Sequence, residues 1–135
     1  MSEIHDKFDV IFELQKRFDN EIVEKRGLEG ITPDEWIQKE VLAMLSELSE
    51  LLDEVNFKWW KNKKEINYDN VKEELIDILH FFVSSCIKVG MTSKETYLRY
   101  IEKNKENFKR QYGESKKLGY ELSEMLSNDN EKKKT

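Results

Sequence analysis

Cysteine, proline and glycine are scarce in this 135-residue sequence. The single cysteine, Cys86, excludes a disulfide within the chain and a zinc site built from several thiolates. One proline and five glycines leave few positions where a helix must break, and alternation of apolar and polar residues is rare. The composition therefore predicts a mainly helical protein.

Long hydrophobic runs and an excess of basic charge are also missing. No stretch approaches the roughly 20 apolar residues that cross a bilayer, and the opening MSEIHDKFDV has no apolar signal core. The net charge of −5, from 23 basic and 28 acidic residues, argues against a general affinity for nucleic-acid backbone. We therefore expect a cytoplasmic protein that binds neither a membrane nor a nucleic-acid polymer.

Apolar residues recur at helical spacing in four segments, which predicts a helix bundle. The first helix is expected over residues 3–26. The second is expected to begin at the capping signal of Thr32 and Pro33 and to reach about residue 60.

The third predicted helix begins at a cap formed by Asp69 or Asn70 and ends at Gly90. Thr92 and Glu95 form a capping box that opens a fourth helix, which ends near Tyr112. A weaker helical signal follows, so the bundle has four or five helices. Residues 1–126 are predicted to form one domain, and residues 127–135 a charged, disordered tail.

Acidic residues recur on the inner faces of the second and third predicted helices. Glu47 and Glu50 are neighbours beside one apolar stripe, and Glu74 and Asp77 lie in a helix that is apolar around most of its circumference. Such a helix is expected to be central. Carboxylates that converge between helices cannot all stay ionised without cations. Oxygen ligands favour Mg²⁺, with Mn²⁺ as a substitute, and Mg²⁺ favours a phosphorylated substrate.

A competing interpretation treats these acidic strips as solvated faces of a helical interaction module without catalytic activity. Spacing alone leaves both interpretations open, because glutamate is common on helix surfaces.

The two acidic motifs, ELSE at 47–50 and ELID at 74–77, resemble the E-x-x-E…E-x-x-D signature of the all-α nucleoside triphosphate pyrophosphohydrolases. This superfamily includes MazG-like enzymes and dimeric dUTPases. Further segments resemble the dimeric dUTPases in particular: FELQKRFD at 12–19, FKWWK at 57–61, DILHFF at 77–82 and YIEKNKENFKRQYG at 100–113. The resemblance covers roughly residues 8–113 and implies an all-α, MazG-like bundle of four to five helices that is completed by homodimerisation.

The resemblance also implies a reaction, which is Mg²⁺-dependent hydrolysis of dUTP, and of dUDP, to dUMP. Two or more Mg²⁺ ions would be held by Glu47, Glu50, Glu74 and Asp77 and would activate the attacking water. Glu47 or Glu50 would be the catalytic group that orients or deprotonates this water. A MazG-like activity on another nucleotide remains the nearest alternative.

Substrate-binding residues are implied in the same way. Base and sugar would be held by Gln15, His80 and the segment with Lys58, Trp59 and Trp60. The triphosphate would be held by Lys103, Asn107 and Arg110, which share one helical face. Without the resemblance, His80 is typical of a core histidine, and the last three residues are typical of a solvated helix.

Overall fold

The computed structural model describes residues 6–116 and 118–119, and it contains four α-helices in this part of the chain. These are α1 (Lys7–Arg26), α2 (Pro33–Glu54), α3 (Tyr68–Lys88) and α4 (Ser93–Gln111). No strand occurs among the described residues. The predicted all-α class is therefore confirmed.

Capping side chains set several of the predicted boundaries. The Asp6 carboxylate accepts a hydrogen bond from the backbone N–H of Asp9 at the start of α1, and Thr32 accepts one from the backbone N–H of Glu35 at the start of α2. Gly90 follows α3 with a φ of 82°, the left-handed conformation that glycine adopts without a steric penalty. The start of α2 and the end of α3 therefore agree with the prediction.

Three boundaries differ from the prediction. Helix α1 begins at Lys7 instead of residue 3, because Asp6 is extended and caps the helix. Helix α2 ends at Glu54 instead of near residue 60, because Asn56 leaves the helical conformation with a φ of 60°. The Asn56 side chain also holds a loop, since its amide donates to the carbonyl of Lys64 at 2.8 Å and accepts from the Lys64 N–H at 3.0 Å. The cap of α3 is Asn67, whose side chain accepts from the N–H groups of Asp69 and Asn70.

The described chain separates into two compact units after Lys94. In the first unit, α3 packs mainly against α2 and also against α1, so it is central as predicted. The second unit carries most of α4, where Glu106 accepts hydrogen bonds from Arg110 and Ser115. The predicted tail at 127–135 and most of the predicted fifth helix lie outside the described residues.

The buried apolar core is small for a chain of this length. Among the described residues it consists of Phe12, Val83 and Cys86. Large apolar side chains of α3 that were expected to be covered, such as Ile76 and Phe82, remain about half exposed. Helix α3 is therefore buried on the sides that face α1 and α2 but not all round.

No single described helix has the length and hydropathy to cross a membrane. Only α3 and α4 taken as a bent pair have the required length and composition.

Candidate active site

Helices α2 and α3 run in opposite directions, which brings their acidic motifs together. Trp36 near the start of α2 contacts Lys88 at the end of α3, and Glu40 one turn later contacts Ser84. The same register places Glu47 beside Glu74. One carboxylate oxygen from each of Glu47, Glu50 and Glu74 lies within 4.8 Å of the others.

Asp77 adjoins this carboxylate cluster. It lines the same cavity as Glu47, and its negative charge contributes to the raised pKa of Glu47. The structure therefore brings together the four carboxylates that the sequence predicted as metal ligands.

The surrounding protein does not fully compensate the negative charge of the carboxylate cluster. A hydrogen bond with Glu47 and burial raise the pKa of Glu74 to about 7. The same hydrogen bond lowers the pKa of Glu47, but burial and the charges of Glu50 and Asp77 outweigh it, so that this pKa is also raised. A proton shared between the two carboxyl groups offsets part of the repulsion.

Two buried oxygens of the cluster lack partners. The Oε2 atoms of Glu47 and Glu74 have almost no solvent exposure and make no hydrogen bond among the described residues. A buried carboxylate oxygen without a partner is costly. Hard oxygen donors that are close together, buried and unsatisfied fit a divalent cation of the Mg²⁺ type.

A cavity of about 590 Å³ begins at Glu47 and Asp77 and extends along the groove between α2 and α3. Helix α1 closes one side of it with Gln15, Phe18 and Asp19. Aromatic walls and a few polar groups are typical of a site for a small organic ligand.

Polar side chains form a continuous network along this cavity. Nε2 of Gln15 donates to Oδ1 of Asp19 at 2.9 Å, and Oε1 of Gln15 lies 2.6 Å from Nδ1 of His80. Because Oε1 can only accept, Nδ1 of His80 must carry the hydrogen. Ser84 lies 2.8 Å from Oδ2 of Asp19 and 2.6 Å from Oε1 of Glu40.

The predicted pair Gln15 and His80 is thus brought together in the cavity, and sequence reasoning missed the rest of the network. Asp19, Glu40 and Ser84 are all buried although they are polar. A signal for each was present, because Asp19 follows Gln15 by one helical turn, Glu40 precedes Glu47 by two turns, and Ser84 follows Asp77 by two turns. What spacing did not show was that side chains of three helices meet at one point.

Comparison with known proteins assigns the family. A family model described as dUTPase matches residues 7–99, which is more than half of the chain. The chain belongs to this dUTPase family. The match includes both acidic motifs and the residues of the cavity.

Two curated relatives of this dUTPase-family chain come from bacteriophages. The dCTP pyrophosphatase of Enterobacteria phage T4 is 33% identical over 87 residues, a match that covers 54% of this chain and 51% of the relative. The dCTP pyrophosphatase of Enterobacteria phage LZ5 is 49% identical over 41 residues, covering 30% of this chain and 24% of the relative. The chain thus spans about half or less of these relatives. No solved structure matches it.

One dUTPase-like segment, FKWWK, lies in the loop after α2 and does not line the main cavity. Trp59 and Trp60 are 84% and 59% exposed and pack edge to face with each other at 4.7 Å. Lys58 forms an ion pair with Asp53 at 3.1 Å in a separate cleft. Their predicted contact with substrate remains a prediction.

The other dUTPase-like segment belongs to the second unit. Nη1 of Arg110 donates to the Asn107 side chain at 3.4 Å, and its Nε donates to Glu106 at the same distance. Lys103 lies exposed one turn before Asn107. The shared face of these three residues is therefore present on α4, and their contact with a triphosphate remains a prediction.

Proposed function

We propose that this protein is a Mg²⁺-dependent nucleotide pyrophosphohydrolase that converts dUTP to dUMP and pyrophosphate and also accepts dUDP. The observation that carries this proposal is the convergence of Glu47, Glu50, Glu74 and Asp77 beside a cavity of nucleoside size. Membership of the dUTPase family supports the choice of nucleotide.

The four carboxylates would hold the cation or cations. When bound there, Mg²⁺ would offset charge on the phosphates and lower the pKa of a bound water. The unpartnered Oε2 atoms of Glu47 and Glu74 are suited to this role, because coordination would replace the hydrogen bonds that they lack.

The protein's own acid–base contribution would come from Glu47 or Glu50. A carboxylate oxygen would accept a proton from the attacking water while the water oxygen bonds to a phosphorus atom. The bond from this phosphorus to the leaving phosphate oxygen would break. Glu50 is the more exposed member of the carboxylate cluster and so faces incoming substrate most openly.

The base would lie against Gln15 and His80. Gln15 uses one N–H on Asp19 and one lone pair on His80, so it retains one donor and one acceptor for a ligand. Lys103, Asn107 and Arg110 would stabilise charge on the phosphates. A homodimer would cover the exposed apolar faces.

A second candidate substrate is dCTP. Both phage relatives bear the name dCTP pyrophosphatase. The remaining donor and acceptor of Gln15 can pair with the edge of either cytosine or uracil, so this residue does not decide between them. The assay described next, which includes dTTP, also tests MazG-like hydrolysis of other nucleotides.

Pyrophosphate release from dUTP, dCTP and dTTP, with and without Mg²⁺, tests the activity. Turnover should need the cation, and Glu50→Ala should lower kcat by several orders of magnitude while the helical circular-dichroism signal is kept. Glu73→Ala is the matched control, because Glu73 is an exposed glutamate on α3 outside the carboxylate cluster. Near-normal turnover of Glu50→Ala would contradict the assignment. A helical interaction module would show no turnover and no rise of Tm with Mg²⁺.

A further inference from the structure

Two buried acidic side chains lie in the same cavity, away from the carboxylate cluster. Asp19 of α1 and Glu40 of α2 are 8% and 7% exposed, and Ser84 of α3 lies between them. Buried acidic residues are rare unless they are compensated. Their role is not explained by cation binding at the four clustered carboxylates.

Asp19, Glu40 and Ser84 together have one hydrogen-bond donor fewer than their contacts require. The hydroxyl of Ser84 has a single hydrogen but lies within hydrogen-bonding distance of both carboxyl groups. With both acids ionised, one of them faces only the oxygen of Ser84. A proton on one of the two acids, or a further donor that allows both to stay ionised, would satisfy the group.

Glu40, and not Asp19, is the acid that lacks a donor. Asp19 already accepts from Gln15 and is 3.8 Å from the ammonium group of Lys88. Ser84 is the only hydrogen-bond partner of Glu40 among the described residues, and it contacts Oε1. Within the described part of the chain, Oε2 of Glu40 therefore has no hydrogen-bond partner, and Glu40 lines the cavity.

The position of Glu40 suits the far edge of a nucleobase. Two helical turns separate Glu40 from Glu47, which is a rise of about 10 Å along α2. A nucleoside whose phosphates lie at the carboxylate cluster has about this length. Phe18 and Trp36 line the cavity near Glu40 and offer aromatic faces to a flat ring.

We propose that Glu40, held by Ser84 and Asp19, accepts a hydrogen bond from the exocyclic amino group of cytosine and thereby favours dCTP over dUTP. This inference rests on the proposed function and names its preferred substrate. Cytosine carries an N–H donor at the ring position where uracil carries a carbonyl oxygen. An ionised carboxylate attracts the first and repels the second.

The protein surroundings alone favour the neutral form of Glu40. Burial raises the pKa of Glu40, and the negative charge of Asp19 adds to the effect, whereas Ser84 and Lys88 act in the opposite direction. Along the cavity, His80 and Asp77 on α3 and Lys39 and Glu47 on α2 are the other charged or titratable groups. A bound amino donor would stabilise the ionised form.

The test compares kcat/KM for dCTP and dUTP in the wild type, Glu40→Gln and Ser84→Ala, together with the Kd of dCMP and dUMP by calorimetry. The wild type should prefer dCTP. Glu40→Gln should lower the dCTP-to-dUTP ratio roughly ten- to hundredfold, as expected for loss of a hydrogen bond to a charged group. Ser84→Ala should shift it in the same direction by less. Glu24→Gln, an exposed glutamate on α1, is the matched control.

The outcomes separate this inference from the proposed function. Turnover of both nucleotides with an unchanged ratio in Glu40→Gln would overturn the inference and leave the function standing. If no nucleotide is turned over, but the wild type binds dCMP more tightly than dUMP and Glu40→Gln abolishes this preference, the proposed function would be overturned and the role of Glu40 would stand. A wild type that prefers dUTP, or that binds neither monophosphate, would also overturn the inference. If Glu40→Gln does not fold, an unchanged ratio in Ser84→Ala decides against it.

Discussion

At the scale of single residues, the site is a set of polar groups that the fold leaves incompletely satisfied. The hydrogen bond between Glu47 and Glu74, burial and the neighbouring carboxylates raise the pKa of Glu74, the pKa of Glu47 is raised as well, and Oε2 of each is buried without a partner among the described residues. Such groups lower the stability of the folded chain and raise its affinity for a ligand that supplies what is missing.

Stability without divalent cations should fall as the pH rises. Glu74 has a pKa of about 7 in the folded state against an ordinary value of 4.5, so between these values the folded state holds a proton that the unfolded state releases. Its contribution is fully present below the unfolded pKa and is lost as the pH rises through about 7. Thermal unfolding in EDTA, between about pH 5 and about pH 8, should therefore show a falling Tm.

The same measurement has two internal checks. Glu74→Gln should flatten this part of the pH dependence, whereas the exposed neighbour Glu73→Gln should not. Mg²⁺ should raise Tm more at about pH 8 than at about pH 6, because binding displaces the shared proton. A Tm in EDTA that rises across this range would contradict the assignment.

At the scale of helices and loops, short-range signals were sufficient only where the cap lies next to the helix. Thr32 and Gly90 act on their immediate neighbours and were predicted correctly. The end of α2 was wrong because the apolar pattern continues into FKWWK, whereas the side chain that ends the helix, Asn56, bonds to Lys64 across eight residues. The cap of α3 was predicted at Asp69 or Asn70 but is Asn67; all three are capping residue types, so residue type alone did not select among them.

Asn56 should therefore determine the loop after α2. Asn56→Ala removes two hydrogen bonds to Lys64 and places alanine at a φ of 60°, which asparagine tolerates better, so it should lower the free energy of unfolding by about 1–3 kcal/mol. Urea denaturation measures this change.

Asn56→Gly separates the two causes. Glycine tolerates the positive φ but makes no side-chain hydrogen bonds, so its cost should be smaller than that of alanine. Equal stability of Asn56→Ala and the wild type would show that this residue does not hold the loop.

At the scale of the whole molecule, the small core is the main physical constraint. Phe12, Val83 and Cys86 are the buried apolar residues of the described chain, while apolar side chains on all four described helices stay exposed. Ile11, Leu14, Ile76 and Leu79 line an apolar groove between α1 and α3, which we name the α1–α3 groove. Exposed apolar surface of this extent marks an interaction face.

We predict that a second copy of the chain covers this face. Light scattering at micromolar concentration should give twice the 16.2 kDa mass of the chain. Ile76→Glu should shift the protein toward monomer, because it places a charge in the α1–α3 groove. Lys72→Glu, an exposed charge change one turn earlier on α3, should leave the mass unchanged. A monomeric wild type would contradict the prediction.

The sequence by itself determined the helical class, the approximate helices and the acidic motifs, because these depend on periodicity and on residues a few positions apart. The family resemblance paired Gln15 with His80 as substrate-binding residues; the structure places the two side chains in contact, and their role stays a prediction. Only the tertiary structure decided that Asp19, Glu40 and Ser84 meet, since they come from three helices and are distant in sequence. The physical reason is that helical spacing shows which residues share a face, whereas the register between helices determines which faces and which atoms meet.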